Sequence, residues 1–179
     1  MRNFVLTIIF ALLSIYCGRA QNIPSIAGVE FGTSYSICKG KFDNRFNRGV
    51  VSEQETPNML KYFLINFADM FFDRAIFGFQ TDTSGNSYLN SADFMIYYDS
   101  EDSEGAKKKR DELFEFYKSK YEFRWSDTDE DGWKYYVLGK DPISPKNGLV
   151  AISIIQTTRC LYVCVGYGPI NFISPLDEI

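Results

Sequence analysis

From Met70 to Gln80 two sets of side chains take turns, with Phe71, Ala75, Phe77 and Phe79 alternating with Phe72, Arg74, Ile76 and Gly78. A period of two marks a strand whose side chains point to opposite faces of a sheet. The segments on either side, Leu60 to Phe67 and Ser87 to Tyr98, are equally rich in Phe, Tyr, Ile and Met, so three strands are predicted, joined by turns at Ala68–Asp69 and Asp82–Asn86. Four more strands are predicted at Tyr121 to Trp125, Trp133 to Leu138, Leu149 to Gln156 and Cys160 to Tyr167. Polar stretches divide them: Asp127–Gly132, Asp141–Gly148 and Thr157–Thr158.

Two helices precede these strand groups. After the short apolar stretch Gly28–Gly32, Thr33 or Ser34 caps a helix running to about Phe46, with Cys38, Phe42 and Phe46 as its buried stripe. Asn47–Asn58 then reads as a connecting loop. The second helix is expected from Glu104 to about Lys120, with Ala106, Leu113, Phe116 and Tyr117 facing inward and charge on its other side. One helix with three strands, then one helix with four, predicts an α+β fold: an antiparallel sheet of about seven strands with two helices on one face. The arrangement is pseudo-duplicated over about 28–99 and 100–168, although the two halves do not match residue by residue.

Residues 1–20 read as a cleavable signal peptide, with Arg2 as the positive start, an apolar run from Phe4 to Tyr16, and Gly18-Arg19-Ala20 as the cleavage site. The apolar run is short of the roughly 20 residues a membrane helix needs, and no second run follows, so no transmembrane segment is expected. The rest, 21–179, is then one exported α+β domain, periplasmic or at the cell surface. Tyr16 stands where lipoprotein processing wants a small residue, which argues against a lipid on Cys17. Cleavage removes Arg2 and Arg19 and no acid, moving the formal net charge from −4 to −6. The one basic run, Lys107–Arg110, is hemmed by acids, so nucleic acid is not an expected partner.

The chain contains no histidine, which excludes imidazole bases, Ser-His-Asp and Cys-His constellations and His-bearing zinc sites. Of the cysteines left after cleavage, Cys160 and Cys164 are too far apart along one strand to bridge; one of them could reach Cys38 if the first helix covers that strand, and otherwise all three are packed hydrophobes. Asp127, Asp129 and Asp131 match the first half of a calcium loop, but Leu138 replaces its closing Glu and strands flank it, so the plain alternative is a solvated hairpin tip. Asp99, Glu101 and Asp102 form carboxylate pairs of the kind a hydrolase needs, or simply a solvated loop before the second helix. No catalytic residue and no cofactor is assigned. Trp125, Trp133 and Tyr135 are the candidate ligand-binding rings; alternation puts Trp133 and Tyr135 on one face with Tyr136 opposite.

The tract Gly28-Val29-Glu30-Phe31-Gly32-Thr33-Ser34-Tyr35, the tracts Phe77–Gln80 and Tyr88–Asn90, the helix from Ala106 to Tyr121, and Tyr167-Gly168-Pro169 together resemble a group of small, uncharacterised exported proteins of Gram-negative anaerobes. The entry into the first helix and the element order resemble, more distantly, the repeat unit of the β-lactamase inhibitor protein and of small outer-membrane assembly lipoproteins. These latter resemblances imply binding rather than catalysis. The expected function is therefore an exported, non-enzymatic binding domain with an envelope protein as partner. The alternatives are a glycan-binding module using exposed aromatics and a hydrolase with a carboxylate pair.

Overall fold

The computed structural model describes residues 24–46 and 58–171. A small antiparallel hairpin, β1 (Ser25–Ile26) and β2 (Val29–Glu30), leads into helix α1 (Tyr35–Arg45). Three long strands follow, β3 (Met59–Phe67), β4 (Met70–Thr81) and β5 (Ser87–Asp99). Helix α2 (Ser103–Lys118) precedes β6 (Phe123–Thr128), β7 (Lys134–Leu138), β8 (Val150–Gln156) and β9 (Cys160–Tyr167). The seven long strands form one antiparallel sheet in the order β3-β4-β5-β9-β8-β7-β6, so the predicted α+β class holds. The two helix-led halves meet where β5 pairs with β9, with Phe94 opposite Val165.

Local chemistry sets the helix ends. Asp102 caps α2 by accepting the Gly105 N–H at 3.0 Å, Glu104 lies in the first turn and Lys118 in the last, each placed to favour the helix dipole. Gly105 leaves room for the Asp102 carboxylate in this rotamer, which a Cβ at 105 would oblige to shift. Cys38, Phe42 and Phe46 form the buried stripe of α1, as their spacing predicts.

Both helices pack on the same side. Under α1, Phe77 stacks on Phe42 at 4.0 Å and meets Phe46, Tyr62 and Phe94 within 5.9 Å. Under α2, Phe114 stacks on Tyr136 at 4.0 Å, and Tyr117, Tyr121 and Tyr167 form a cluster. Phe94, 6.1 Å from Tyr167, joins the two groups into one core.

Three expectations are corrected. Phe72, not Phe71, belongs to the core beside Ala75 and Phe77, while Phe71 is 50% exposed. The phase slips where Leu64 on the partner strand takes a left-handed φ of 53°, between the pairs Phe63–Arg74 and Ile65–Phe72. Strand β6 starts at Phe123 rather than Tyr121, because Tyr121 ends the α2 turn with its N–H on the Tyr117 carbonyl, 2.9 Å, and its ring in the tyrosine cluster. Helix α2 also buries Arg110, 7% exposed, which was expected on its charged side, while Phe116 packs partly buried against the core. The Arg110 guanidinium reaches the Lys134 carbonyl at 3.0 Å and Asp111 at 2.8 Å and lies over the Tyr136 ring. The predicted signal peptide and all but Asn58 of the predicted loop at Asn47–Asn58 fall outside or at the edge of the described residues.

Candidate functional site

Both helices lie on one face, while on the other the turn through Gly148 packs against Val137. The pairing register lays out the side chains of that second face in three rows across the strands. One row runs Lys61, Ile76, Asp93, Gly166, Ala151, Val137, Trp125. The next runs Phe63, Arg74, Met95, Cys164, Ser153, and the third Tyr97, Tyr162, Ile155. Tyr97 is 46% exposed, Ile155 41% and Trp125 39%. On β8 and β9 the middle of the face is made of small groups, Gly166, Ala151, Ser153 and Cys164. Larger side chains flank these small groups, and Cys164 is buried among them.

Arg74 stands on β4, paired with Phe63 and Met95. Its guanidinium lies 5.3 Å from the centre of the Phe63 ring and 5.4 Å from that of Tyr162. Its Nε is shut off from solvent and has no hydrogen-bond acceptor. The neighbouring acids are turned to other uses. Asp73, the residue before it, accepts the Tyr97 N–H at 2.7 Å, and Asp99 accepts the Tyr97 hydroxyl at 2.7 Å. The Asp93 carboxylate lies over Gly166, where a Cβ would sit 2.7 Å from its Oδ1, and takes a weak thiol contact from Cys164 at 3.8 Å. Burial holds the Asp93 carboxyl above the ordinary carboxylate range, because leaving water penalises the charged form.

Trp125 and Tyr135 share the open face, since Trp125 faces Val137 and Tyr135 sits two residues away, opposite Asp127. Trp133 does not join them. It precedes β7, packs on the core, donates its indole N–H to Gln156 at 2.9 Å and lies under the Lys107 ammonium of α2. The expectation that Trp133 and Tyr135 share a face is thus overturned. The Asp129 side chain folds the hairpin turn by accepting the N–H groups of Asp131, 3.1 Å, and Trp133, 2.7 Å, and this bends Trp133 out of strand alternation. The expected opposite placement of Tyr136 and Tyr135 is found, with Tyr136 stacked on Phe114 beneath α2.

Asp127, Asp129 and Asp131 all lie on the β6–β7 hairpin, where Asp127 accepts its neighbour's N–H. Among the described residues no three acidic or cysteine side chains converge as metal ligands do. Of the candidate carboxylate pairs, Asp99 is spent on Tyr97 and Asp102 on the α2 cap. The thiols of Cys38, Cys160 and Cys164 are free and buried. Cys38 sits on the sheet-facing side of α1 whereas Cys160 and Cys164 point to the opposite face of the sheet, so the sheet separates the partners a bridge would need. Burial pushes the Cys38 thiol up to about 12 and raises Cys164 as well, which leaves both poor nucleophiles.

The Arg74 site was missed in the sequence. Its only signal was an arginine inside an otherwise apolar strand, which invites the question of what offsets its charge. A depression of about 250 Å³ lies at the start of α1, lined by Ser34, Tyr35, Ser36, Gly85, Asn86 and Ser87. No described helix is long and apolar enough to cross a membrane. No family model matches this chain, and comparison with curated proteins and with solved structures finds no match.

Proposed function

We propose that this chain is an exported binding domain, without catalysis of its own, that presents the helix-free face of its sheet to a protein partner. The observation that carries the reading is the make-up of that face: Phe63, Arg74, Ile76, Met95, Tyr97, Tyr162, Ile155, Tyr135 and Trp125, with Lys61 and Asp127 at its margins. Aromatics, Met and Arg beside a single central acid, Asp93, resemble the composition of protein interfaces, whose strongest contributors are buried Tyr, Trp and Arg. Export follows from the leader-like residues 1–20.

A photoreactive phenylalanine analogue at Tyr97 or Trp125 tests this in envelope extracts. Each is expected to trap one discrete protein, while the same probe at Glu115, exposed on α2, traps none. Equal trapping from Glu115, or none from the sheet positions, removes the reading. Glycan binding is favoured by a separate observation, the placement of Trp125 and Tyr135 on one face with Asp127 between the strands' ends, since rings beside a carboxylate suit sugars. Oligosaccharide arrays that retain the protein through these two rings, with no trapped protein, would select that alternative.

A further inference from the structure

We infer that the corner of the molecule where α2 ends and β6 begins is a second binding surface, and that its partner is the headgroup layer of an anionic lipid bilayer. This goes beyond the protein-binding reading above.

Three large apolar side chains stand out at that corner. Phe123 is 44% exposed and Trp125 39%, on opposite sides of the edge strand β6, and Ile143, on the loop that follows β7, is 40% exposed. Printed contacts of the backbone and side chains tie these parts together. The Gly139 N–H donates to the Glu122 carbonyl at 2.8 Å, which starts the loop beside β6, and the Arg124 guanidinium reaches the Pro145 carbonyl at 3.4 Å, two residues beyond Ile143. Phe123 meets Phe114 of α2 edge-on at 5.6 Å. These groups lie along an edge strand and a loop, so they form a ridge, and a ridge suits a flat partner that yields to it.

Cations surround the ridge. Lys118 lies over the Phe114 ring at 5.2 Å and Lys120 over Phe116 at 4.0 Å, while Arg124, Lys140 and Lys146 follow along β6 and the loop. The nearby acids offset only part of this charge. Glu115 and Glu122 pair with Lys118 and Lys140 at 3.6 and 3.5 Å, and Asp141 is buried, accepting the Ile143 and Ser144 N–H groups. Among the described residues no acid pairs with Lys120, Arg124 or Lys146. The whole chain carries a net charge of −4, so an anionic surface repels most of the molecule and draws in this corner.

Rings beside long cationic side chains are the chemistry of the membrane interface, where the ring enters the boundary layer and the ammonium stays with the phosphates. Depth is limited by the backbone. The outer edge of β6 has donors and acceptors that no described strand takes up, and these cannot enter hydrocarbon unpaired, so contact stops among the headgroups.

The test is sedimentation of the protein with vesicles of phosphatidylcholine, alone or with about one-third phosphatidylglycerol, at roughly 0.1 M salt. Binding to the anionic vesicles is expected to be at least about ten-fold tighter than to the neutral ones and to weaken as salt rises. Brominated lipid should quench Trp125 in a Trp133→Phe background. Phe123→Ser with Ile143→Ser, and separately Lys118→Gln with Lys120→Gln, should each lower the affinity by about ten-fold. Neither pair should alter trapping of a protein from Tyr97, which keeps the two surfaces distinguishable. No binding, equal binding to both vesicles, or binding indifferent to Phe123 and Ile143 overturns the proposal. Capture by dextran sulfate without capture by vesicles also overturns it and makes the corner a polyanion site. If a variant does not fold, the lipid and salt dependence of the unaltered protein decides.

Discussion

Two neighbouring rows of the same sheet were built to opposite ends. The row Tyr62, Ala75, Phe94, Val165, Ile152, Tyr136 is buried beneath the helices, and the row one residue away, Lys61, Ile76, Asp93, Gly166, Ala151, Val137, Trp125, looks away from them. The first is apolar apart from one tyrosine hydroxyl at each end, and its rings interlock. The second mixes charge, glycine and a tryptophan, with Trp125 partly exposed and Val137 buried beside the turn at Gly148. A strand offers both rows at no extra length, so one set of hydrogen bonds supports a core on one side and leaves the other side free for recognition.

The contrast breaks most readily on the helix side. Phe77→Ala removes a ring with no solvent exposure that touches four others, and is expected to cost about 3–5 kcal/mol in denaturant unfolding. Next comes the polar edge of that core. Tyr136 donates its hydroxyl to Asp111 at 2.9 Å, so Tyr136→Phe should cost about 1 kcal/mol in the same measurement.

A third difference is brought out by pH. Burial raises the Asp93 carboxyl above its ordinary value of 3.8, so between that value and the raised one the native state holds more protons than the unfolded chain. Stability from this group is therefore full at low pH and is lost as pH rises through the native value. Asp93→Asn is expected to unfold at higher denaturant concentrations than the parent near neutral pH, with the advantage shrinking toward pH 4 and below. A constant advantage across that range would show that Asp93 does not titrate in a buried setting.

The smallest expected effect lies on the open side. Tyr97→Ala should change stability by less than about 1 kcal/mol, because the ring is nearly half exposed and its hydroxyl is satisfied by an exposed acid two residues away. It should nevertheless abolish trapping of a partner by a probe at Trp125. A large loss of stability would mean that this face is structural, and the comparison of the two rows would fail.

Much of the fold could be read from the chain because its strands are long and its turns are polar. All seven long strands and both helices lie within a few residues of their expected positions. The misreadings share a cause, which is that alternation assumes an undisturbed strand. Leu64 breaks phase with a left-handed φ that nothing in Phe-Leu-Ile announces, and Asp129 draws Trp133 to the helix side through hydrogen bonds that only a folded turn supplies. Arg110 looked like part of a solvated basic run, and its burial depends on Tyr136 and the Lys134 carbonyl, which arrive from another element. The site was less legible still. Phe63, Arg74 and Tyr162 come from three strands, and what unites them is a pairing order that periodicity does not encode.

That pairing order also bears on how the chain is made. Strand β9 sits between β5 and β8, although it is the last of the seven in sequence. During N-to-C synthesis the two halves therefore each present an inner edge with open backbone donors and acceptors until Cys160–Tyr167 emerges and zips them together. Whatever escorts the nascent chain must keep those edges from joining strangers, and a polypeptide stopped short of Cys160 would be left with two sticky fragments rather than a smaller version of the domain.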